Sequence, residues 1–320
     1  MARVWYERRA ECIGACRVAA RATDSRPITP LRPSNVELLA GPLVSTPPLP
    51  PALPGLVDTH CHLDAKYAHK GQPAAGEVLA RARACGVGGF VVIGVGEDAA
   101  EARAAVATAH AEPDCVAAVG VHPHDAQHVN DAIFAEIAGL AADPKVAAVG
   151  EIGLDFHYDH SPRDVQRAVF RRFVGLAKAL GKPIVIHTRE AGQEALAILE
   201  EEGARDVGGV IHCFSEDLPF ARRALDLGFD LSFSGIVTFK PATAIHEVAR
   251  FAPEDRILVE TDAPYLAPVP MRGKTCEPAM VVYTARRVAE LRGVAAERLA
   301  EITTTNARRR FAGLPAAPQA

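Results

Sequence analysis

The sequence predicts an α/β protein of the (β/α)8 TIM-barrel type, and three observations carry that prediction. From Gly55 onward, short runs such as GFVVIGV, CVAAVGV and PIVIH recur, apolar on both faces. Strands buried on both sides of a parallel sheet have this character. Amphipathic helical patterns separate these runs. The roughly 266 residues involved suit a single barrel, whose usual size is about 250.

The strands are expected near 56–60, 89–95, 115–121, 146–151, 183–187, 208–212, 229–234 and 257–262. Helical patterns fall at 97–111, 163–181, 191–203 and 277–292. Gly86, Gly181, Gly203 and Gly228 stand where helices should stop, each shortly before a strand. The rival fold is a doubly wound open sheet, which usually carries a glycine-rich phosphate loop after an early strand. Neither GxGxxG nor GxxxxGK[ST] occurs.

Composition narrows the class further. Of 320 residues, 49% are hydrophobic and 23% charged, with a formal net charge of −4, so no global basic field recruits nucleic acid. No apolar run reaches the ~18 residues of a membrane span. Seven scattered cysteines without a CxxC pair suit a reducing, cytoplasmic setting better than a disulfide scaffold.

Residues 1–54 differ from the rest. They hold nine of the 24 prolines and seven arginines against four acidic residues. Proline at this density favours extended, solvated chain. The expected organisation is a disordered extension at 1–54, or a start placed too far upstream. A barrel at 55–314 and a flexible tail at 315–320 complete it. Cys12 and Cys16 lack the partners that a tetrahedral metal site needs.

Ionisable residues interrupt the apolar strands at their carboxyl ends. His60 and His62 close the first strand, His122 the third, Glu151 the fourth, His187 the fifth, His212 the sixth and Asp262 the eighth. Buried singly and unpaired, each would cost several kcal/mol. In a closed barrel they converge on the mouth where active sites of this fold form. In His60-Cys61-His62 the two imidazoles share a face and point inward, while Cys61 points toward the helices. With Glu151, His187, His212 and Asp262 they supply four nitrogens and two carboxylates, enough for two divalent ions if one carboxylate bridges them. Cys61, Cys85, Cys115 and Cys213 read as packing residues; His69, His110, His128, His160 and His246 read as solvent-facing.

Seven ordered blocks carry a family resemblance: VDTHCHLD (57–64), GVHPHDA (120–126), GEIGLDF (150–156), KPIVIHTREA (182–191), HCFS (212–215), LSFSGIVTFK (231–240) and ETDAPYL (260–266). RGK (272–274) and EPAMV (277–281) follow. In these blocks the chain resembles the TatD-type metal-dependent deoxyribonucleases of the amidohydrolase superfamily.

The resemblance implies that His60, His62 and Asp262 hold one ion, that His187 and His212 hold a second, and that Glu151 bridges them. His122 would lie beside the scissile phosphate. Arg189, Arg272, Lys274 and Lys240 would neutralise charge on it, although exposed loop charge is the plainer reading of Lys240 and Lys274. The implied reaction is phosphodiester hydrolysis by activated water, with Asp262 also taking its proton. Two ions ~3.5–4 Å apart suit that chemistry. The donor set leaves Zn²⁺, Mg²⁺ and Mn²⁺ open.

The implied substrate is single-stranded DNA, attacked as a 3′–5′ exonuclease would, or RNA. Net negative charge argues against tight wrapping of duplex, and an aromatic content of 6% predicts no stacking platform. Two readings compete. One is removal of D-amino acids from tRNA, or other ester or amide hydrolysis on the same scaffold. The other is a non-catalytic metal-binding barrel. Phosphotriesterase-like relatives bridge their ions with a modified lysine, and strand four has none. The chain departs from the family pattern at Cys276, often Asn, and at Glu216, commonly Gly. Glu216 would add negative charge at the mouth. Oligomeric state and end polarity have no signature in the sequence.

Overall fold

The computed structural model describes residues 48–63 and 74–316. The chain divides into two units, Met1–Leu43 and Val44–Ala320. The first lies outside the described residues, as do Cys12, Cys16 and His69.

Eight parallel strands run in chain order: β1 (Leu56–Cys61), β2 (Val87–Gly94), β3 (Cys115–Val119), β4 (Val146–Asp155), β5 (Ile184–Arg189), β6 (Gly209–Ile211), β7 (Phe229–Phe233) and β8 (Ile257–Val259). Between and after them lie α1 (Ala75–Ala84), α2 (Ala100–Ala111), α3 (Asp131–Ala141), α4 (Arg163–Leu180), α5 (Gly192–Glu201), α6 (Leu218–Asp226), α7 (Thr243–Phe251), α8 (Val281–Arg292) and α9 (Ala296–Arg310).

Closure comes just past the end of β8. The Asp262 amide donates to the His60 carbonyl (2.9 Å), and the His62 amide donates to the Ala263 carbonyl (2.8 Å). The buried Asp58 carboxyl reinforces the seam by accepting from Thr261 N (2.9 Å) and Thr261 Oγ1 (2.6 Å). The resulting barrel matches the sequence expectation.

Two hydrophobic layers hold it. The larger lies between strands and helices. There α4 buries Phe170, Phe173, Val174 and Ala177, a stripe at helical spacing. The helix ends at Gly181, whose φ of 63° is the left-handed conformation glycine adopts without strain. The smaller layer fills the interior with Val57, Val91, Ile93, Val116, Val185, Val210 and Leu258. Ala307 from α9, with Phe311 just past its end, closes its lower end. That helix is tied to the strand beginnings by Asn306, whose Nδ2 donates to the Ile257 carbonyl at 2.9 Å.

The elements differ from expectation in informative places. Strands β6 and β8 are short, so His212 and Asp262 sit just beyond them rather than within them. Ordered packing begins before Gly55. Leu53 is fully buried, and its amide donates to the Cys85 carbonyl at 2.9 Å. His246, expected to face solvent, is buried in α7 with Nε2 2.8 Å from the Val237 carbonyl. That contact joins the helix to the turn after β7, nine residues back, and helical periodicity alone does not show it.

Candidate metal centre

Strict alternation along β1 would put Val57 and Cys61 on one face. They lie on opposite ones: Val57 faces the interior and Cys61 the helix layer. A register shift against β2 between Asp58 and Cys61 accounts for the change. It turns His60 and His62 together into the mouth, with their Nε2 atoms 3.3 Å apart. Strand β4 shifts register between Val149 and Ile152 and presents Glu151. Its backbone runs so close to β5 that a Cβ at Gly153 would stand 2.1 Å from the His187 carbonyl oxygen, which explains the glycine.

Glu151 is the hub of the site. Its Oε2 lies 3.4 Å from His60 Nε2 and 4.0 Å from His62 Nε2. Its Oε1 lies 2.8 Å from His187 Nδ1, 3.4 Å from His212 Nε2 and 3.5 Å from His122 Nε2. Asp262 Oδ1 joins the first side, 3.6 Å from His62 Nε2 and 3.8 Å from His60 Nε2. The structure therefore brings all six sequence-nominated ligands together, one Glu151 oxygen facing each set.

The donor chemistry fits divalent cations. Two nitrogens each ~2.0–2.1 Å from a tetrahedral ion stand about 3.4 Å apart, close to the His60–His62 separation of 3.3 Å. Burial lowers the His212 imidazole, yet Glu260 and Glu151 outweigh it and lift that ring to about 10. Burial works to raise the Glu151 carboxyl, but the imidazoles of His212 and His122 hold it well below the usual carboxylate range. A pocket that forces a proton onto a buried histidine is one that attracts cations, and metal ions compete for the same nitrogens.

Groups behind the ligands decide which nitrogen faces inward. Glu260 Oε1 lies 2.8 Å from His212 Nδ1 as a close charge contact, while His212 Nε2 faces Glu151. Asp155 Oδ2 lies 3.2 Å from His187 Nε2, leaving Nδ1. Such carboxylate partners fix the tautomer of a metal-binding histidine. His122 is arranged the other way. Its Nδ1 accepts the His124 amide at 3.1 Å, so the neutral ring carries its proton on Nε2, the atom facing Glu151. Spacing alone admits His122 as a ligand beside Glu151 and His187. Its hydrogen bonding makes it a donor instead.

Sequence reasoning did not single out Asp155, Glu260, Asp58 or His124, although all lie inside the quoted blocks. Asp155 is wholly buried, and its Oδ2 also stands 2.8 Å from His124 Nε2. Burial pushes the Asp58 carboxyl up to about 8, against its hydrogen bonds from Thr261. A signal was available for Asp155 and Glu260, acidic residues at the ends of apolar strands; Asp58, near the start of β1, and His124, in the turn after β3, carried none of that kind.

The remaining nominated residues are dispersed. Arg189 ends β5 with its guanidinium 4.8 Å from the Tyr158 ring centroid. Arg272 is exposed and stacks on Phe239 at 4.2 Å. Lys240 and Lys274 are also exposed. Glu216 accepts from Thr188 Oγ1 at 3.2 Å, close to Gly192 at the start of α5. Cys276 is fully buried, its thiol 3.9 Å from the Thr261 carbonyl. Cys213 is only part-buried, with Sγ 3.3 Å from Ser234 Oγ and near His212 and Asp262. It is less a core residue than expected, because its left-handed backbone (φ 45°) turns it toward the mouth.

A (β/α)8 barrel with imidazoles gathered around one carboxylate at its mouth defines the class of metal-dependent hydrolases. The family model described as TatD related DNase matches residues 57–312, and the chain belongs to that family. It is 44% identical over 256 residues to the uncharacterized metal-dependent hydrolase YabD of Bacillus subtilis (strain 168), covering 80% of this chain and 98% of that one. The 3′-5′ ssDNA/RNA exonuclease TatD of Rahnella sp. (strain Y9602) is 37% identical over 242 residues, covering 74% and 91%. Among solved structures, the TatD homologue YJJV of Escherichia coli K12 superposes with a TM-score of 0.73 at 28% identity, over 81% of this chain and 98% of that one. No helix among the described residues is long and apolar enough to cross a membrane.

Proposed function

We propose that this metal-dependent hydrolase is a nuclease that releases nucleotides from the 3′ end of single-stranded DNA, or of RNA. The observation that carries the reading is Glu151, with one oxygen toward each of two imidazole sets and the His122 N–H beside them. His60, His62 and Asp262 would hold one ion, His187 and His212 a second, with Glu151 shared. Divalent ions held there would supply an activated water and charge stabilisation for an in-line displacement at phosphorus.

The chain's own groups then have distinct tasks. His122 Nε2–H donates to a non-bridging phosphate oxygen, where charge builds in the transition state. Asp262 accepts the proton of the attacking water. Arg189 supplies positive charge at the same rim. The Rahnella relative, an ssDNA/RNA exonuclease, supports the substrate class. A net charge of −4 suits capture of a strand end better than duplex wrapping.

The test is a 3′-labelled single-stranded oligonucleotide offered to protein of measured metal content, with Mg²⁺, Mn²⁺ or Zn²⁺, beside Glu151→Ala. Single-nucleotide release that disappears in the variant is expected. A metal-loaded protein that leaves the strand intact overturns the phosphodiester reading and directs the search to ester and amide substrates, D-aminoacyl-tRNA first.

A further inference from the structure

The geometry points to a base-stacking subsite on the rim of the centre, built from Tyr158 and His160, that seats the nucleobase next to the reacting phosphate. It rests on the nucleic-acid reading above and names what that site would grip.

The ring planes of Tyr158 and His160 are nearly parallel, 11° apart with centroids at 5.4 Å. His124 braces both edge-on, at 5.4 Å from Tyr158 and 4.6 Å from His160. Arg189 Cζ lies 4.8 Å from the Tyr158 centroid. An aromatic content of 6% predicts no such platform. That count omits histidine, and imidazoles complete this one.

The pair adjoins the chemistry. His124 lies 4.3 Å, centroid to centroid, from His122, which in turn lies 4.5 Å from His187. Two ring-to-ring steps therefore join the phosphate-facing donor to the parallel pair, comparable with the reach from a phosphate to its own base.

The support is rigid. Asp155 Oδ1 accepts the amides of His157 (3.0 Å) and Tyr158 (2.9 Å), while Oδ2 faces His124 (2.8 Å) and His187 (3.2 Å). Gln166, buried, takes the Asp155 amide (2.9 Å) and donates to the Asp155 and Ser161 carbonyls (3.1 and 2.8 Å). Ser161 Oγ donates to the His124 carbonyl at 2.7 Å. One carboxylate thus ties the loop bearing the rings to a metal-site histidine. His160 is nonetheless exposed, so a planar group can reach it from solvent. A rigid π-surface beside a cationic guanidinium suits any nucleobase, since each has a π-face.

The experiment compares kcat/KM on a single-stranded oligonucleotide with that on the same strand carrying a 3′-terminal abasic sugar. The proteins are wild type, Tyr158→Leu, His160→Ala, Tyr158→Phe and His160→Phe, each with its metal content measured. The wild type should favour the base-bearing strand by roughly 5- to 150-fold, the range that one base stack supplies. Tyr158→Leu and His160→Ala should collapse that preference, mainly through KM, and the Phe variants, which keep a ring, should restore it. His160→Ala alters an exposed side chain, which keeps the test independent of folding. Variants that keep the wild-type preference, or that lose rate equally on both strands, overturn the subsite while the nuclease reading stands. A wild type that cleaves neither strand overturns the nuclease reading and the subsite with it.

Discussion

Asp155 holds His187 from behind: Oδ2 lies 3.2 Å from Nε2, while the opposite ring nitrogen lies 2.8 Å from Glu151 Oε1. The ring is thereby fixed with one nitrogen committed to the protein and the other presented to the site. Asp155→Asn keeps the volume but offers a single oxygen to two imidazoles and two amides. Metal affinity should fall ~10–100-fold for the ion on the His187 side, read by metal titration in a competing chelator. Unchanged affinity for both ions would remove Asp155 from the centre's support.

Glu151 faces both imidazole sets, so in the proposed two-ion arrangement its loss should be felt at both positions together. Glu151→Ala should reduce bound metal at both positions and abolish hydrolysis, whereas His62→Ala should spare the ion on the far side. Elemental analysis after gel filtration measures both. Full loss of one ion with retention of the other in Glu151→Ala would contradict a shared carboxylate.

His122 is bonded as a donor, so its removal should separate catalysis from metal binding. His122→Ala should leave metal content at the wild-type value and lower kcat ~10²–10³-fold, the usual cost of one transition-state donor. Metal lost in parallel with rate would instead make His122 a ligand.

The lower end of the barrel should govern stability without touching the chemistry. Phe311 is fully buried in the interior layer. Phe311→Ala should cost about 3–5 kcal/mol, measured by denaturant unfolding of the metal-loaded protein. A loss below ~1 kcal/mol would mean that the Phe311 ring does not plug the interior.

The sequence by itself determined the barrel and nominated the six side chains that the structure gathers at its mouth. Parallel strands buried on both faces leave few places for a charge, so His60, Glu151 or Asp262 in an apolar run is a signal one residue wide. What tertiary structure decided lies where distant segments meet. The β1 register shift that turns His60 inward depends on pairing with β2. The tautomer of His122 depends on an amide two residues on, in a turn whose geometry no spacing rule supplies. Asp155, Glu260 and Asp58 are partners of side chains or amides on other strands, and a carboxyl's partner is set by the closed barrel rather than by its own neighbours. Tyr158 becomes part of a ring cluster for the same reason, because His124 and Arg189 arrive from other strand ends. A side chain's burial is written in its local pattern; its partner and the proton between them are fixed only when the chain closes.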